Sequence, residues 1–341
     1  MKKILKNLLF MMVAVILTAT SSYAFSLRDT TLKFVQVSDA HISDSENTSF
    51  KMLSQSKNLL KDAIQQINKE QSVDFVMFTG DMVDRPHLDS YRDFFTILCE
   101  LKYPVLLTLG NHDANFEDTR EENTLTTDDV VKLIADCNPN QKYDKSYWAV
   151  GLRGNFHIVV LDLRTDNISS NGYISDEQLA FLDKELEENK DKIVLIFEHH
   201  PPLEPFQSDN HKVLNADKYF EVLSKYKNPI AVFSGHYHTT KITKVENVIY
   251  VSSPSLVTYP NAFRVVSVTS YRDRAVFDFY FKETGLTEVQ AEAKANTIAA
   301  ATFAGLQKDR NTTIVIKKKI IKEKRSKKEK NKKDEKDESE I

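Results

Sequence analysis

Cysteine, glycine and proline are all scarce in this chain of 341 residues, which contains 2 Cys, 8 Gly and 9 Pro. The two cysteines, Cys99 and Cys137, form no C-x-x-C pattern, which argues against thiol redox catalysis and against a structural zinc knuckle. Both lie near the ends of predicted helices, and the sequence leaves open whether they pair as a disulfide. No stretch rich in Pro, Gly or Ser divides the body of the chain into two domains, and no internal repeat of fixed period is visible.

A strong excess of one charge is also lacking, since the formal net charge is -3. We therefore expect no polyanionic partner and no binding to a nucleic-acid polymer. Residues 317–341, however, consist almost entirely of Lys, Arg, Glu and Asp, and such a run cannot bury apolar surface. The composition predicts a disordered tail; the alternative is that its basic part holds the protein weakly at an anionic cell-envelope surface.

The N-terminus has the features of a targeting segment. Three lysines precede an apolar run over residues 8–17, which is shorter than a comfortable membrane span. Ser22-Tyr23-Ala24 places small residues at the -3 and -1 positions and predicts cleavage after Ala24, so that residues 1–24 form a signal peptide. No Cys follows the run, which argues against a lipoprotein anchor, while an uncleaved anchor helix is the alternative. In both cases we expect an exported protein, located in a periplasm or outside the cell.

The pattern of the body predicts an α/β fold. Predicted strands at residues 32–37, 73–79 and 105–109 are separated by predicted helices at 49–70 and 88–101, which is typical of a parallel sheet. A short helix over 127–136 and a hairpin of residues 147–150 and 155–161 follow. Ser175 and Gln178 form a capping-box pattern that opens a helix, before a strand at 193–197 and a helix at 216–226. Beyond His238, short alternating strands at 241–245, 248–251, 263–269 and 275–281 predict a second, antiparallel sheet, and residues 287–303 are predicted to be helical.

Side chains that bind metals directly follow several of these strands. The clearest case is Val76-Met77-Phe78-Thr79-Gly80-Asp81, where a buried strand ends in a glycine and a carboxylate. Four further strands end in the same way, in Asp39 and His41, Asn111 and His112, His199 and His200, and His236 and His238. Three of the eight glycines, Gly80, Gly110 and Gly235, directly precede these residues, where a crowded metal centre needs close backbone approach. A single histidine is more often an ordinary surface or core residue, and we interpret His87, His157 and His211 in that way.

These residue types also restrict the chemistry. Imidazole, carboxylate and carboxamide groups without a thiolate suit Zn, Mn or Fe. A two-metal site needs one ligand shared between ions about 3.5–4 Å apart, and a carboxylate can provide it because it offers two oxygens. The sequence therefore predicts that the strand ends converge on two divalent transition metal ions, with Asp81 as the bridging ligand.

Together, the blocks Asp39-x-His41, Gly80-Asp81-x-x-Asp84, Gly110-Asn111-His112-Asp113, His199-His200-Pro201 and Gly235-His236-x-His238 resemble those of the calcineurin-like metallophosphoesterases, in the same order. The resemblance covers about residues 32–260. It implies a four-layer αββα sandwich, with two mixed β-sheets flanked by helices, in a domain that we place at residues 25–316. Asp84 stands where purple acid phosphatases have a tyrosine, so the chain looks more like the cyclic-nucleotide and glycerophosphodiester phosphodiesterase branch.

The resemblance also implies a role for each residue of the site. Asp39, His41 and His238 would hold the first metal, Asn111, His199 and His236 the second, and Asp81 both. His112 would contact the phosphate or act as general acid, and Asp113 would orient its ring. Asp84 and His200 would lie behind the ligands or face the substrate.

The implied function is an exported dimetal-dependent phosphoesterase, with a phosphodiesterase favoured, that acts on small-molecule or lipid phosphoesters. The reaction would be in-line attack by a metal-bridging hydroxide with His112 as general acid. The alternative is a non-catalytic metal-binding scaffold or binding protein on the same fold. Specificity is expected in the loops at 115–126, 203–215 and 253–261. Four aromatic residues of this region could stack on a substrate or cover the edge of the core, namely Phe116, Phe206, Tyr237 and Tyr259.

Overall fold

The structure is a computed structural model that describes residues 29–116, 122–165 and 170–318. The predicted signal peptide and the part of the charged tail beyond residue 318 lie outside the described residues. Among the helices described, none combines the length and the apolar character that crossing a membrane requires.

Twelve strands and eight α-helices make up the described chain. In chain order the strands are β1 (Thr30–Val37), β2 (Phe75–Thr79), β3 (Val105–Thr108), β4 (Trp148–Gly151), β5 (Phe156–Val160), β6 (Ile193–Phe197), β7 (Ile230–Ser234), β8 (Lys241–Val245), β9 (Val248–Ser252), β10 (Ala262–Ser270), β11 (Arg274–Glu283) and β12 (Thr312–Lys317). The helices are α1 (Ser56–Ile67), α2 (Leu88–Leu98), α3 (Thr127–Cys137), α4 (Asp176–Glu188), α5 (Ala216–Ser224), α6 (Thr287–Asn296), α7 (Ala300–Ala304) and α8 (Gln307–Arg310).

The strands form two mixed sheets of six strands each. Sheet I has the order β12-β11-β10-β1-β2-β3, in which β1, β2 and β3 are parallel and the other neighbours antiparallel. Sheet II has the order β4-β5-β6-β7-β9-β8, with β5, β6, β7 and β9 parallel and an antiparallel strand at each edge. Because the parallel strands of both sheets are buried on both faces, they read in the sequence as continuous apolar runs.

Three apolar cores separate four layers. Alternate residues of β2 point to opposite faces, so Val76 and Phe78 pack with Phe94 of α2 under the helices of sheet I. Phe75 and Met77 face the other way and pack with Phe197 of sheet II between the two sheets. A third core joins the outer face of sheet II to α4 and α5. The sequence of helix, sheet, sheet and helix is the four-layer αββα sandwich, which confirms the predicted fold class.

Several local predictions were wrong. The four strands after His238 do not form a sheet of their own, because β8 and β9 join sheet II while β10 and β11 join sheet I. The predicted helix over 287–303 is divided into α6 and α7, and β12 had not been predicted. Lys317 ends β12 and Lys318 donates from Nζ to the Ser270 hydroxyl at 2.6 Å, so these two residues belong to the folded body rather than to the tail. Cys99 and Cys137 are both free thiols.

Candidate metal centre

The carboxyl ends of five parallel strands bring the predicted ligands to one place. Sheet I supplies Asp39 and His41 after β1, Asp81 after β2 and Asn111 after β3, while sheet II supplies His199 after β6 and His236 and His238 after β7. In three groups of three side chains, the ligand atoms lie within 4.8 Å of one another. Two groups consist of predicted ligands alone: the first is Asp39, His41 and His238, and the second is Asp81, His199 and His236. The third overlaps both and joins His41 and Asp81 to His112.

Asp81 belongs to the second group and also approaches the first. Its Oδ2 is 3.2 Å from Nε2 of His199 and 3.5 Å from Nε2 of His41. In the first group, Nε2 of His238 is 3.2 Å from Oδ1 of Asp39. A single carboxylate oxygen that approaches histidines of both groups is where a ligand shared by two ions would have to be.

The hydrogen bonding of the site fits a pair of metal ions. Buried polar atoms are nearly always paired in proteins, so unpaired ones need an explanation. Four buried side-chain atoms of the predicted ligands have no hydrogen-bond partner: Nε2 of His41, His199 and His236, and Oδ1 of Asn111. Each is an atom with which the residue would bind a metal. The donor set of nitrogen and oxygen atoms suits divalent transition metal ions.

In two of the histidine ligands, the ring nitrogen on the other side, Nδ1, already has a hydrogen-bond partner. Nδ1 of His199 donates to the carbonyl of Thr79 at 2.8 Å, and Nδ1 of His238 lies 2.7 Å from the Thr258 hydroxyl. A hydrogen bond at Nδ1 fixes the ring and leaves the lone pair of Nε2 directed at the metal position.

The backbone is strained at the same residues. Nine non-glycine residues of the described chain have positive φ, and five of them are predicted ligands: Asp39, His41, Asp81, His236 and His238. Such conformations cost about 1–3 kcal/mol each and collect at functional sites. The close approach also explains two glycines, because a Cβ on Gly110 would lie 2.2 Å from Oδ1 of Asp81 and one on Gly235 would lie 2.6 Å from Oδ2 of Asp39.

The buried carboxylates of the site favour positive charge nearby. Burial opposes the charged form of Asp81, but His199 and His112 outweigh it and hold the pKa of this carboxyl well below its usual range. Burial likewise opposes the charged form of His199, yet Asp81 and Asp39 raise its pKa to about 9. Divalent cations would supply the charge that these carboxylates otherwise draw from a protonated imidazole. Burial, followed by the ammonium of Lys51, lowers the pKa of His41 to about 3, so this ring is a neutral ligand.

His112 lies beside the two groups, and its side chain lines the pocket above them that is described below. Its Nδ1 is 2.7 Å from the carbonyl oxygen of Asp84, and its backbone N–H donates to Oδ1 of Asp81 at 2.9 Å. The carboxylate of Asp84 lies 3.4 Å from Nδ1 of His41 and 3.8 Å from Nζ of Lys51. Asp84 therefore holds two rings of the site, one through its carbonyl and one through its carboxylate.

Asp113 does not orient His112, contrary to the prediction. Its carboxylate is fully buried and accepts backbone N–H groups from Asp81, Met82 and Gly110, each at 2.7 Å. Burial, followed by the charge of Asp81, raises the pKa of Asp113 to about 7. Asp113 therefore connects the ends of β2 and β3 below the site. The carbonyl of Asp84 orients the ring of His112, which was the role predicted for Asp113.

Two further histidines border the ligands. His200 is fully buried and its ring centroid lies 4.3 Å from that of His236, so it packs behind the ligands. Burial, followed by His199, lowers the pKa of His200 to about 3. His211 had been interpreted as an ordinary residue, yet it is part of the pocket wall, with its ring 5.2 Å from that of His236. Its place in the loop at 203–215, where specificity was expected, was the signal that could have identified it.

A pocket of about 390 Å³ opens over Asp81, Asn111 and the histidines. Of the four aromatic residues named from the sequence, Phe206 and Tyr237 line it. Phe116 instead packs under the guanidinium of Arg164, and Tyr259 under the ammonium of Lys294. Four residues of the wall had not been predicted to belong to the site: Phe50, Lys51, Ser170 and Phe303.

The sequence profile of the calcineurin-like phosphoesterases matches residues 32–240, which is more than half of the chain and includes every predicted ligand. The chain belongs to the calcineurin-like phosphoesterase family. It is therefore a metallophosphoesterase, a hydrolase of phosphoric ester bonds, and the two groups of Asp and His residues are its candidate metal-binding residues.

Relatives of this phosphoesterase agree with that conclusion. A Fibrobacter succinogenes protein named probable cyclic nucleotide phosphodiesterase is 30% identical over 229 residues, which cover 66% of this chain and 79% of that protein. An Arcobacter nitrofigilis protein named probable glycerophosphodiester phosphodiesterase GpdQ is 27% identical, over 65% of this chain and 77% of the relative. A dimetal phosphatase from Danio rerio has a similar fold, with a TM-score of 0.57 and 18% identity, over 74% of this chain and 99% of its own.

Proposed function

We propose that this phosphoesterase is a dimetal phosphodiesterase that hydrolyses small phosphodiesters. The observation that carries the proposal is the set of four unpaired, buried ligand atoms that converge with Asp39 and Asp81 beneath an open pocket. Relatives that are named as phosphodiesterases of cyclic nucleotides and of glycerophosphodiesters support the choice of a diester. The ligand set accepts Mn, Fe and Zn.

In this proposal the ligands bind the metal ions and His112 donates a proton. When bound, two divalent ions neutralise the phosphoryl charge and activate a water molecule for attack on phosphorus. Asp39, Asp81, Asn111 and the histidine ligands would hold the ions. Since Nδ1 of His112 is engaged by the Asp84 carbonyl, Nε2 is the nitrogen available to donate a proton to the leaving oxygen.

The test is metal-dependent hydrolysis of bis(p-nitrophenyl) phosphate. The metal-reconstituted wild type should release p-nitrophenolate, and the Asp81→Ala variant should lose nearly all of this activity. Asp191→Ala is the matched control, because Asp191 is an exposed carboxylate outside the pocket. Tight metal binding without turnover on this and a broader panel of phosphoesters would favour the scaffold alternative instead.

We also propose that the enzyme is exported. The basic start, the apolar run over residues 8–17 and the small residues Ser22 and Ala24 support this. The intact mass of the protein purified from an expressing bacterium tests it, because the mature chain should lack residues 1–24. A chain of full mass that is recovered with the cytoplasm would contradict the proposal.

A further inference from the structure

Three phenylalanines surround the pocket over the metal centre. Phe50 precedes α1, Phe206 lies between β6 and α5, and Phe303 lies in α7. The first two are 38% and 40% exposed, and Phe303 is half-buried. Contact between an aromatic ring and water is unfavourable, so a ring gains stability when another group covers it. Exposed rings that are grouped around a pocket therefore indicate a binding surface for a ligand.

Phe303 comes from a segment beyond the part of the chain that matches the family, which ends at residue 240. The segment is attached to the strand that leaves the metal site. The backbone N–H of Thr240, two residues after His238, donates to the carbonyl of Phe303 at 2.9 Å. Gly305 has φ +65° and packs directly on Thr240, since a Cβ there would lie 2.1 Å from the Thr240 carbonyl oxygen.

A buried carboxylate fixes the other end of the same segment. Asp309 is 1% exposed, and it accepts the backbone N–H of Ile242 at 3.1 Å and that of Leu306 at 3.3 Å. These contacts join residues 303–309 to the start of β8. The ring of Phe303 is therefore held at a defined position relative to the ligand His238.

The other two rings are also attached close to metal ligands. Phe206 packs edge-to-face on Tyr237 with 5.1 Å between the ring centroids, and the ring centroid of Phe50 lies 6.1 Å from that of His238. The carboxylate of Glu204 fixes the loop of Phe206, because it accepts both the Tyr237 hydroxyl and the backbone N–H of Ser208 at 2.9 Å. The three rings thus come from distant segments but are all positioned from the strand end that carries His236 and His238.

We infer that this aromatic wall binds an aromatic or bulky apolar ester group of the substrate, and that Phe303 is a specificity-determining residue. The inference rests on the proposed phosphodiesterase function and narrows its substrate class. Phosphodiesters with a planar or large apolar group are favoured over those whose ester groups are small and polar. Stacking of a ring on one aromatic side chain strengthens binding by roughly five-fold to more than a hundred-fold, so a wall of three rings should give about ten-fold or more.

A matched pair of ligands tests the wall without depending on turnover. The monomethyl esters of phenylphosphonate and methylphosphonate are both monoanions, as a phosphodiester is, and differ only in the ring. Calorimetric titration of the Mn-loaded wild type should show at least about ten-fold tighter binding of the phenyl compound. Phe303→Ala should reduce this ratio to a few-fold and leave the affinity for the methyl compound unchanged, while Phe303→Tyr should keep the ratio.

Two further variants separate the wall from general damage to the segment. Gly305→Ala should reproduce the loss in Phe303→Ala, because the added Cβ displaces the segment from Thr240. Ile298→Ala should behave as the wild type, because Ile298 is fully exposed in the same region and lies outside the pocket. Equal affinity of the wild type for the two compounds, or equal loss of both in Phe303→Ala, would overturn the inference.

Hydrolysis of bis(p-nitrophenyl) phosphate by the same preparations distinguishes this inference from the proposed function. Turnover without a preference for the ring overturns the aromatic wall and leaves the phosphodiesterase in place. A preference for the ring without turnover supports the wall and overturns the proposed catalytic function.

Discussion

His112 occupies the position from which a proton can reach a leaving oxygen, since its other ring nitrogen is engaged by the Asp84 carbonyl. A general acid matters most when the leaving group is a poor one. We therefore expect His112→Ala to lower kcat by about 10²–10⁴-fold on an alkyl phosphodiester and by clearly less on bis(p-nitrophenyl) phosphate. Steady-state kinetics on both substrates measure the difference, with His87→Ala as a control outside the pocket. Equal losses on both substrates would mean that His112 binds phosphate rather than donating a proton.

Glu198 is a buried carboxyl next to the ligand His199 that has no part in the proposed chemistry. It is 0% exposed, and Tyr219 donates to it at 3.0 Å. Burial raises its pKa well above the ordinary 4.5, so the folded protein keeps the proton that the unfolded chain releases. Stability from this group is therefore complete below about pH 4.5 and is lost as the pH rises toward the folded-state pKa.

Glu198→Gln should remove this dependence, because the amide has the same shape and no proton to lose. We expect the variant to be more stable than the wild type by about 1–3 kcal/mol at pH 7.5 and to differ little from it near pH 4.5. Urea unfolding at the two pH values measures the difference. A stability difference that does not change with pH would show that Glu198 is ionised in the folded protein.

The residues of the site differ in how well the sequence predicted them. The convergence of the candidate ligands could be predicted because they follow the ends of buried strands, and parallel strands end at the same edge of a sheet. Asp113 could not, since its place next to His112 in the chain does not show that its carboxylate turns toward the amides of Asp81 and Met82. Phe303 lies more than sixty residues beyond the last motif, and tertiary contacts of its segment with Thr240 and Ile242 bring it to the pocket.

At the scale of elements, the sequence predicted most strands and helices but not all of their partners. Alternation of apolar residues is a local property, whereas the sheet that a strand joins depends on distant pairing. Phe34 of β1 lies opposite Val266 of β10, which places β10 and β11 in sheet I. The capping pattern at α4 was half right: Ser175 caps the backbone N–H of Gln178, but the Gln178 side chain bonds to the backbone of Asp162 instead.

The junction of β2 and β3 leaves no room for a side chain at Gly110. A Cβ there would meet Oδ1 and the backbone nitrogen of Asp81 at 2.2 and 2.4 Å, so Gly110→Ala must displace the carboxylate of Asp81, the proposed bridging ligand. We expect at least about ten-fold weaker Mn binding, because a small misplacement of a ligand group is costly at a site of this kind. Titration calorimetry measures the affinity.

Gly151→Ala is the control for that variant, because its Cβ would meet nothing closer than Nδ1 of His157 at 3.9 Å. It should bind Mn as the wild type does. Unchanged Mn affinity in Gly110→Ala would show that Asp81 is free to move without loss, and the bridging role would then be wrong.

At the scale of the whole molecule, the metal centre is a junction between the two sheets. Sheet I provides Asp39, Asp81 and Asn111, and sheet II provides His199, His236 and His238. Without ions, the two buried carboxylates are held beside neutral or protonated imidazoles, and several ligand atoms have no partner. Because the unfolded chain cannot assemble this site, binding of metal must stabilise the fold and hold the sheets together.

Removal of metal should therefore lower the melting temperature. An ion present at 100 times its Kd adds about 2.7 kcal/mol to the free energy of unfolding, so removal of one or both ions should lower the Tm of a domain of this size by about 4–9 °C. Differential scanning calorimetry with chelator, and again after Mn is restored, measures the change and its reversal. Asp81→Asn should respond much less to chelator, because it lacks the carboxylate charge that the proposed bridging role requires. If the wild type melted at the same temperature with chelator and with Mn, the ions would contribute nothing to the stability of the junction between the sheets. The proposed catalytic role would then still be tested by turnover.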